Sequence, residues 1–164
     1  MNPDIPFAAY SGWHTHQRFM RLALEEALLA RQKDEIPVGA VVVHQNKVVG
    51  RGHNLVETLK DPTAHAEMQA ITAACSTLDD KFLQECTLYV TLEPCPMCAG
   101  AAVLARLERI CIGTLDAKTG ACGTLLNVAA NQKLNHQVEI IHSILEEECR
   151  ELLQRFFRNK RQRL

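Results

Sequence analysis

Two short segments, His65-Ala66-Glu67 and Pro94-Cys95-Pro96-Met97-Cys98, constrain this chain more than anything else in it. They stand 30 residues apart and hold three soft-to-borderline metal donors, one imidazole and two thiols, with a carboxylate left over. A structural zinc is normally closed by four protein ligands, whereas a catalytic zinc keeps three and leaves the fourth position to water. The chain has no second C-x-x-C and no H-x-x-x-H to close a structural site. The donor count therefore points to an open, catalytic metal held by His65, Cys95 and Cys98.

Cys95 and Cys98, three apart at an expected helix start, present both sulfurs on one face, and the nearby helical N–H groups and the metal favour the thiolate form. His65 and Glu67 are two apart, about 200° round an ideal helix, so they serve one site only near a helix end or with local distortion. With zinc bound, the open position would hold water whose pKa is pulled toward neutrality. Glu67 would take the proton of that water, deliver it to a ring nitrogen and help protonate departing ammonia. The expected chemistry is hydrolytic attack on an amidine-like carbon, and H-x-E…P-C-x-x-C is the pattern of the zinc nucleobase deaminases.

Around these segments the chain alternates. Phe19, Leu22, Ala23, Leu28 and Ala30 recur near a helical period, predicting an amphipathic helix over His14–Lys33. Val38–His44 and Lys47–Gly52, separated by Asn46, read as a β-hairpin. Asp61-Pro62-Thr63 offers a cap and a starting proline for a helix over Ala64–Ala74. Thr87–Thr91 reads as a buried strand, Pro94 or Pro96 as the start of a helix to about Arg106, and Arg109–Gly113 as a further strand. Asp116–Asn135 reads as loop, Gln137–Ile141 as an edge strand and Ser143 to about Arg158 as a last helix. This order predicts an α/β fold, a three-layer α/β/α sandwich around one central mixed sheet of about five strands.

The 164 residues suit one domain, with residues 1–13 a leader of unassigned role and 14–164 a single deaminase domain ending in a basic helix. The chain shows no secretory signal and no run of about 18 apolar residues, and its seven cysteines are odd in number. A soluble, cytoplasmic protein without disulfides is expected, in which Cys75, Cys86, Cys111, Cys122 and Cys149 are small buried hydrophobes. The net charge of −1 conceals an asymmetry: residues 1–149 carry −6, whereas 150–164 carry +5 from Arg150, Arg155, Arg158, Lys160, Arg161 and Arg163 against Glu151. A basic end on an acidic body fits an anionic partner, or a solvated helix end favoured by the macrodipole.

The chain closely resembles the bacterial tRNA-specific adenosine deaminases (TadA type) of the cytidine-deaminase-like superfamily. The resemblance runs from Phe19 to Arg161 and takes in Ile36-Pro37-Val38-Gly39-Ala40-Val41, Asp61 to Glu67, Thr91 to Ala101, Asp116-Ala117-Lys118-Thr119-Gly120 and Phe156-Phe157-Arg158. It implies conversion of adenosine to inosine at the wobble position of a tRNA anticodon stem-loop, chiefly of an arginine tRNA, by a homodimer with one zinc per subunit. By matched position, His65, Cys95 and Cys98 would ligate zinc and Glu67 would shuttle protons. Asn54 would hydrogen-bond the flipped base, and Pro37, Val38, Ala66 and Leu92 would wall its pocket. Asp116 would contact the flanking nucleotide, and Phe157, Lys160 and Arg161 would meet the RNA. Phe156 and Phe157 are adjacent on a helix, so one is expected in the core and the other outside. Leu115 and Asn127 depart from the family pattern. The rival is guanine deaminase, which shares Pro-Thr-Ala-His-Ala-Glu and Glu-Pro-Cys-Pro-Met-Cys, but a basic tail has little use for an uncharged base. A non-enzymatic zinc-stabilised RNA-binding module would require a fourth protein ligand.

Overall fold

A computed structural model describes residues 7–162, with side chains from residue 12 onward. The order is α1 (Phe7–Gln32), β1 (Gly39–His44), β2 (Lys47–His53), α2 (Val56–Leu59), α3 (Ala66–Leu78), β3 (Cys86–Leu92), α4 (Pro96–Leu104), β4 (Arg109–Thr114), β5 (Glu139–Ile141) and α5 (Glu146–Gln162). One five-stranded sheet runs β2-β1-β3-β4-β5. It is mixed, as expected: β1 is antiparallel to β2 and β3, while β3–β4 and β4–β5 are parallel.

Strand alternation divides the core into two layers. Ala40, Val42, Leu88, Val90, Ile110 and Ile112 join the buried faces of α3 and α4. Val41, Val43, Tyr89 and Cys111 join Phe19, Met20 and Ala23 of α1 and Cys149 of α5. The α/β/α sandwich follows directly from this period-two pattern on a sheet covered on both sides.

The sheet also collects the site at one edge. In the antiparallel β1–β2 pair, Gly39 faces His53, so Val38 and Asn54 adjoin, and the Asn54 amide N–H donates to the Val38 carbonyl at 3.1 Å. Ala40 faces Val90 across β1–β3, and Leu92 faces Thr114 across β3–β4. Val38, Asn54, Leu92 and Asp116 therefore leave the sheet on the same side although they are distant in sequence.

Several boundaries differ from the sequence reading. α1 begins at Phe7 rather than His14, so part of the expected leader is helical; residues 1–6, and Arg163 of the basic end, lie outside the described residues. Its core stripe is Phe19, Met20, Ala23, Ala27 and Ala30, and Leu28 falls off that stripe at 43% exposure. Asp61-Pro62 does not start α3. Asp61 instead closes a turn by accepting from the Thr63 N–H and hydroxyl at 2.8 and 2.7 Å, and the backbone is extended at His65. α5 starts at Glu146 because Ser143 and Leu145 take φ values of 63° and 52°, incompatible with a continuing helix. Cys86, Cys111, Cys122 and Cys149 are buried, but Cys75 is only half-buried.

The hairpin packs on α3 by close backbone approach. Ala66, Ala70 and Ala74 recur every fourth residue and are wholly buried, and they face Gly50 and Gly52 of β2. A Cβ at Gly52 would overlap the Ala66 carbonyl, and one at Gly50 the Ala70 carbonyl. Gly52→Ala is expected to push α3 off the sheet and to cost about 1–3 kcal/mol, read as a lower urea midpoint at unchanged slope. An unchanged midpoint would contradict this packing.

Candidate active site

His65 and Cys95 occupy equivalent places: each is the N-cap of its helix, α3 and α4, with ψ of 156° and 173°. Backbone N–H groups of both first turns serve the site: that of Cys98 reaches the Cys95 sulfur and that of Glu67 its own carboxylate. The extended backbone at His65 also resolves the spacing problem. His65 lies outside the helix and Glu67 within its first turn, so the 200° separation expected of an ideal helix (about 100° per residue) does not apply. Pro96 opens α4 at its first position, where its missing N–H is not needed, and Cys98 is two residues farther on.

The imidazole Nδ1 of His65 lies 3.6 Å from Cys95 Sγ and 3.5 Å from Cys98 Sγ. Tetrahedral zinc with its usual Zn–S and Zn–N bond lengths has an N···S edge of roughly 3.6 Å. The donor set and its spacing thus fit zinc. Among the described residues, the metal-capable cluster consists of His65, Cys95 and Cys98, whose ligand atoms all lie within 4.8 Å of one another. A closed four-ligand structural site is not formed by this group, and Glu67 stands outside it.

Electrostatics separate the roles. A hydrogen bond from Cys98, with burial opposing and His65 assisting, holds the Cys95 thiol down to about 4. Cys98 is raised by its bond to Cys95, by burial and by the neighbouring Glu67 charge. His65 is raised, mainly by its bond to Cys95. Burial pushes the Glu67 carboxyl up to about 7, because at 4% exposure little solvent remains to stabilise its charge. A carboxyl poised there both accepts and returns a proton near neutral pH.

Above the metal group opens a cavity of about 320 Å³ lined by His65, Ala66, Glu67, Cys95, Val38, Asn54, Leu92, Glu93 and Asp116, among others. Pro37 is buried and does not line it; Ile36, its neighbour, does. Phe157, Lys160 and Arg161 are not on this cavity. They line an adjoining groove of about 630 Å³ with Lys118, Arg150 and Arg158, and Leu92 belongs to both.

The profile of the MafB19-like deaminases matches residues 14–161. The tRNA-specific adenosine deaminase of Bacillus subtilis is 48% identical over 145 residues, 88% of this chain and 90% of its own length. The chain belongs to the MafB19-like deaminases, among the tRNA-specific adenosine deaminases. A solved structure from work on A-to-I editing by tRNA:A34 deaminases at the wobble position is 40% identical and superposes with a TM-score of 0.80 over 83% of this chain and 99% of that one. Guanine deaminase from Nitrosomonas europaea, 20% identical with a TM-score of 0.74 over 85% of this chain and 83% of its own, shares the fold.

Within this deaminase site, two carboxylates escaped the sequence reading. Glu35, fully buried, accepts from the backbone N–H groups of Glu57 and Thr58 at 3.1 and 2.6 Å and from the Asn54 amide at 3.5 Å. Glu93, 2% exposed, accepts four hydrogen bonds from the loop that carries Asp116. The residues they hold lie in loops and in the short helix α2, and no residue pattern in the sequence marks a carboxylate whose partners are backbone amides.

Other expected contacts acquire local partners. Asp116 accepts from the Lys118 N–H at 2.8 Å and the Thr119 hydroxyl at 2.6 Å, so both its oxygens brace their own turn. Lys160 pairs with Asp34 at 3.0 Å, tying α5 to the end of α1. Phe156 is 7% exposed and Phe157 45%, which places the outward member as expected. Leu115 lines the basic groove, and Asn127 accepts from the Ala130 N–H at 3.2 Å.

Purified protein is expected to hold about one zinc per chain, and Cys95→Ser and Cys98→Ser to lose most of it by metal analysis after dialysis, because thiolate ligands carry most of the affinity. Zinc retained undiminished in Cys95→Ser would break the ligand assignment.

Proposed function

We propose that this protein hydrolytically deaminates adenosine to inosine at the wobble position of a tRNA anticodon stem-loop, chiefly that of an arginine tRNA. The observation that carries the reading is one cavity lined by His65 and Cys95 of the metal group, the buried Glu67 and Asn54, which shares Leu92 with a basic groove. The kinship to tRNA-specific adenosine deaminases and the arrangement of the groove point the same way. At about 320 Å³ the cavity is near the small end of ligand sites, room for one base rather than a polynucleotide.

His65, Cys95 and Cys98 would hold zinc, which when bound would supply a Lewis acid for the activation of water. Glu67 then moves the protons: its carboxyl accepts one from the attacking water, passes it to the purine ring nitrogen, and assists departure of ammonia from the exocyclic position. Asn54, gripped by Glu35 through one amide hydrogen, has its amide oxygen left for the edge of the base. Ala66, Val38 and Leu92 supply apolar walls that exclude bulk water. An anticodon loop nucleotide is already unpaired, so lifting it into the cavity costs less than opening a duplex. Asp116 and Thr119 at the cavity wall meet the neighbouring nucleotide, while Phe157 offers a stacking face and Lys118, Arg158 and Arg161 meet phosphates.

The working form is a homodimer with one zinc in each 14–164 domain. α4 supports this: it has no charged residue, yet Leu104 at its end is 79% exposed. An apolar helix is normally covered on all sides, and a second copy would cover it. Free cysteines throughout, and no described helix long and apolar enough to cross a membrane, suit a cytoplasmic enzyme.

Incubation with total tRNA and, separately, with free guanine is expected to give inosine at first anticodon positions and no xanthine. Glu67→Gln is expected to keep its zinc and to lose roughly 10²–10⁴-fold in rate, the usual worth of a positioned acid–base group. Xanthine without inosine would overturn the substrate assignment, and substantial deamination by the zinc-loaded variant would remove Glu67 from its role.

A further inference from the structure

The Asp116–Leu126 segment makes no regular element beyond one isolated bridge between Cys122 and Asn127, yet it forms a wall of the cavity. Backbone bonds within it, such as those from the N–H groups of Gly120, Leu125 and Leu126, are joined by four to one buried side chain. Glu93 Oε2 accepts from the Asp116 N–H at 3.0 Å and from the Thr124 hydroxyl at 2.5 Å; Oε1 accepts from the N–H groups of Cys122 and Thr124 at 3.0 and 3.1 Å. Four donors from both ends of one loop fill the acceptor capacity of a carboxylate. Backbone bonds alongside complete the attachment: the Glu93 N–H to the Thr114 carbonyl at 2.9 Å and the Ala121 N–H to the Pro94 carbonyl at 2.8 Å.

Gly120 shows how tightly the loop closes on that carboxylate. A Cβ there would overlap Glu93 Oε2 and the Asp116 carbonyl, so glycine is required for the approach. Glu93 itself stands between Leu92, on the cavity wall, and Pro94-Cys95 at the metal group. It therefore joins the wall that meets substrate to the strand end that leads into the metal ligands.

We propose that Glu93 is a positioning residue for substrate, fixing the Asp116–Thr124 loop as the cavity wall that receives the nucleotides beside the reacting base. This rests on the RNA-deaminase reading above. Glu93 touches neither the metal group nor Glu67 by any hydrogen bond, so its removal acts on substrate binding before the chemical step. A glutamine in its place keeps the shape but accepts through one oxygen only and turns N–H groups toward N–H donors.

The test uses a hairpin of anticodon stem-loop sequence with adenosine at the wobble position, and zinc-loaded full-length protein. Glu93→Gln is expected to raise KM about tenfold or more, with kcat within about threefold of wild type and zinc unchanged, since losing charge-assisted bonds from a binding loop removes uniform binding. Thr124→Val, which removes one donor at an exposed position, should shift KM the same way by a few-fold. If Glu93→Gln does not fold, Thr124→Val and Gly120→Ala decide on the same split of KM against kcat. A fall in kcat at unchanged KM, loss of zinc in step with activity, or unaltered kinetics in Glu93→Gln would overturn the proposal. Wild-type protein that makes no inosine in the hairpin would overturn the functional reading and this inference with it; active wild type beside an unaffected Glu93→Gln would overturn this inference alone.

Discussion

The contact on which the rest depends is the backbone-to-backbone approach of α3 to the β1–β2 hairpin. Gly50 and Gly52 leave no side chain between strand and helix, and Ala66, Ala70 and Ala74 supply the matching flat face. This fixes the first turn of α3 against the sheet edge with little freedom to slide, because dense packing resists displacement of even one methyl group. The N-terminus of α3 consequently arrives beside that of α4, which the β3-α4-β4 crossover has carried to the same edge. Two N-cap residues and two helix starts then build the metal group without long side chains reaching across a gap.

Buried carboxylates show how the same fold makes one acid reactive and keeps others structural. Glu35 is desolvated, but the N–H groups of Glu57 and Thr58 outweigh burial and hold its carboxyl below the usual range. Glu67 is enclosed as well, and its own backbone N–H and His65 compensate only in part, so burial prevails and raises it to about 7. A buried carboxylate with full hydrogen bonding keeps its charge, whereas one without it is pushed toward its neutral form. Glu35 and Glu93 support the cavity walls at Asn54 and at Asp116 through hydrogen bonds, and Glu67 lines the same cavity.

Much of this was legible in the residues. Local spacing carried the metal group, since His65, Cys95 and Cys98 need only two helix starts to converge, and period-two and helical patterns carried the layers and the mixed sheet. What the sequence did not show depends on backbone conformation or on distant partners. Extended backbone at His65 settled the placement of Glu67, and nothing in His-Ala-Glu announces it. Glu35 and Glu93 bind amides, which every residue possesses. Asp116 and Lys160, RNA contacts by resemblance, also have local partners in Thr119 and Asp34 that the residues alone do not reveal. Leu28 fits a helical period and still faces outward, because the core stripe of α1 runs from Ala23 through Ala27 to Ala30, and a residue as small as Ala27 carries little weight in a hydrophobic pattern.

The central claim is that three protein ligands hold the metal while Glu67 stays outside the coordination sphere to move protons. Zinc K-edge X-ray absorption on the zinc-loaded wild type and Glu67→Gln tests it most directly. The account predicts two sulfur scatterers near about 2.3 Å and light scatterers near about 2.0–2.1 Å, with the same coordination in the variant. A third sulfur, or loss of a light ligand when Glu67 becomes Gln, would contradict it.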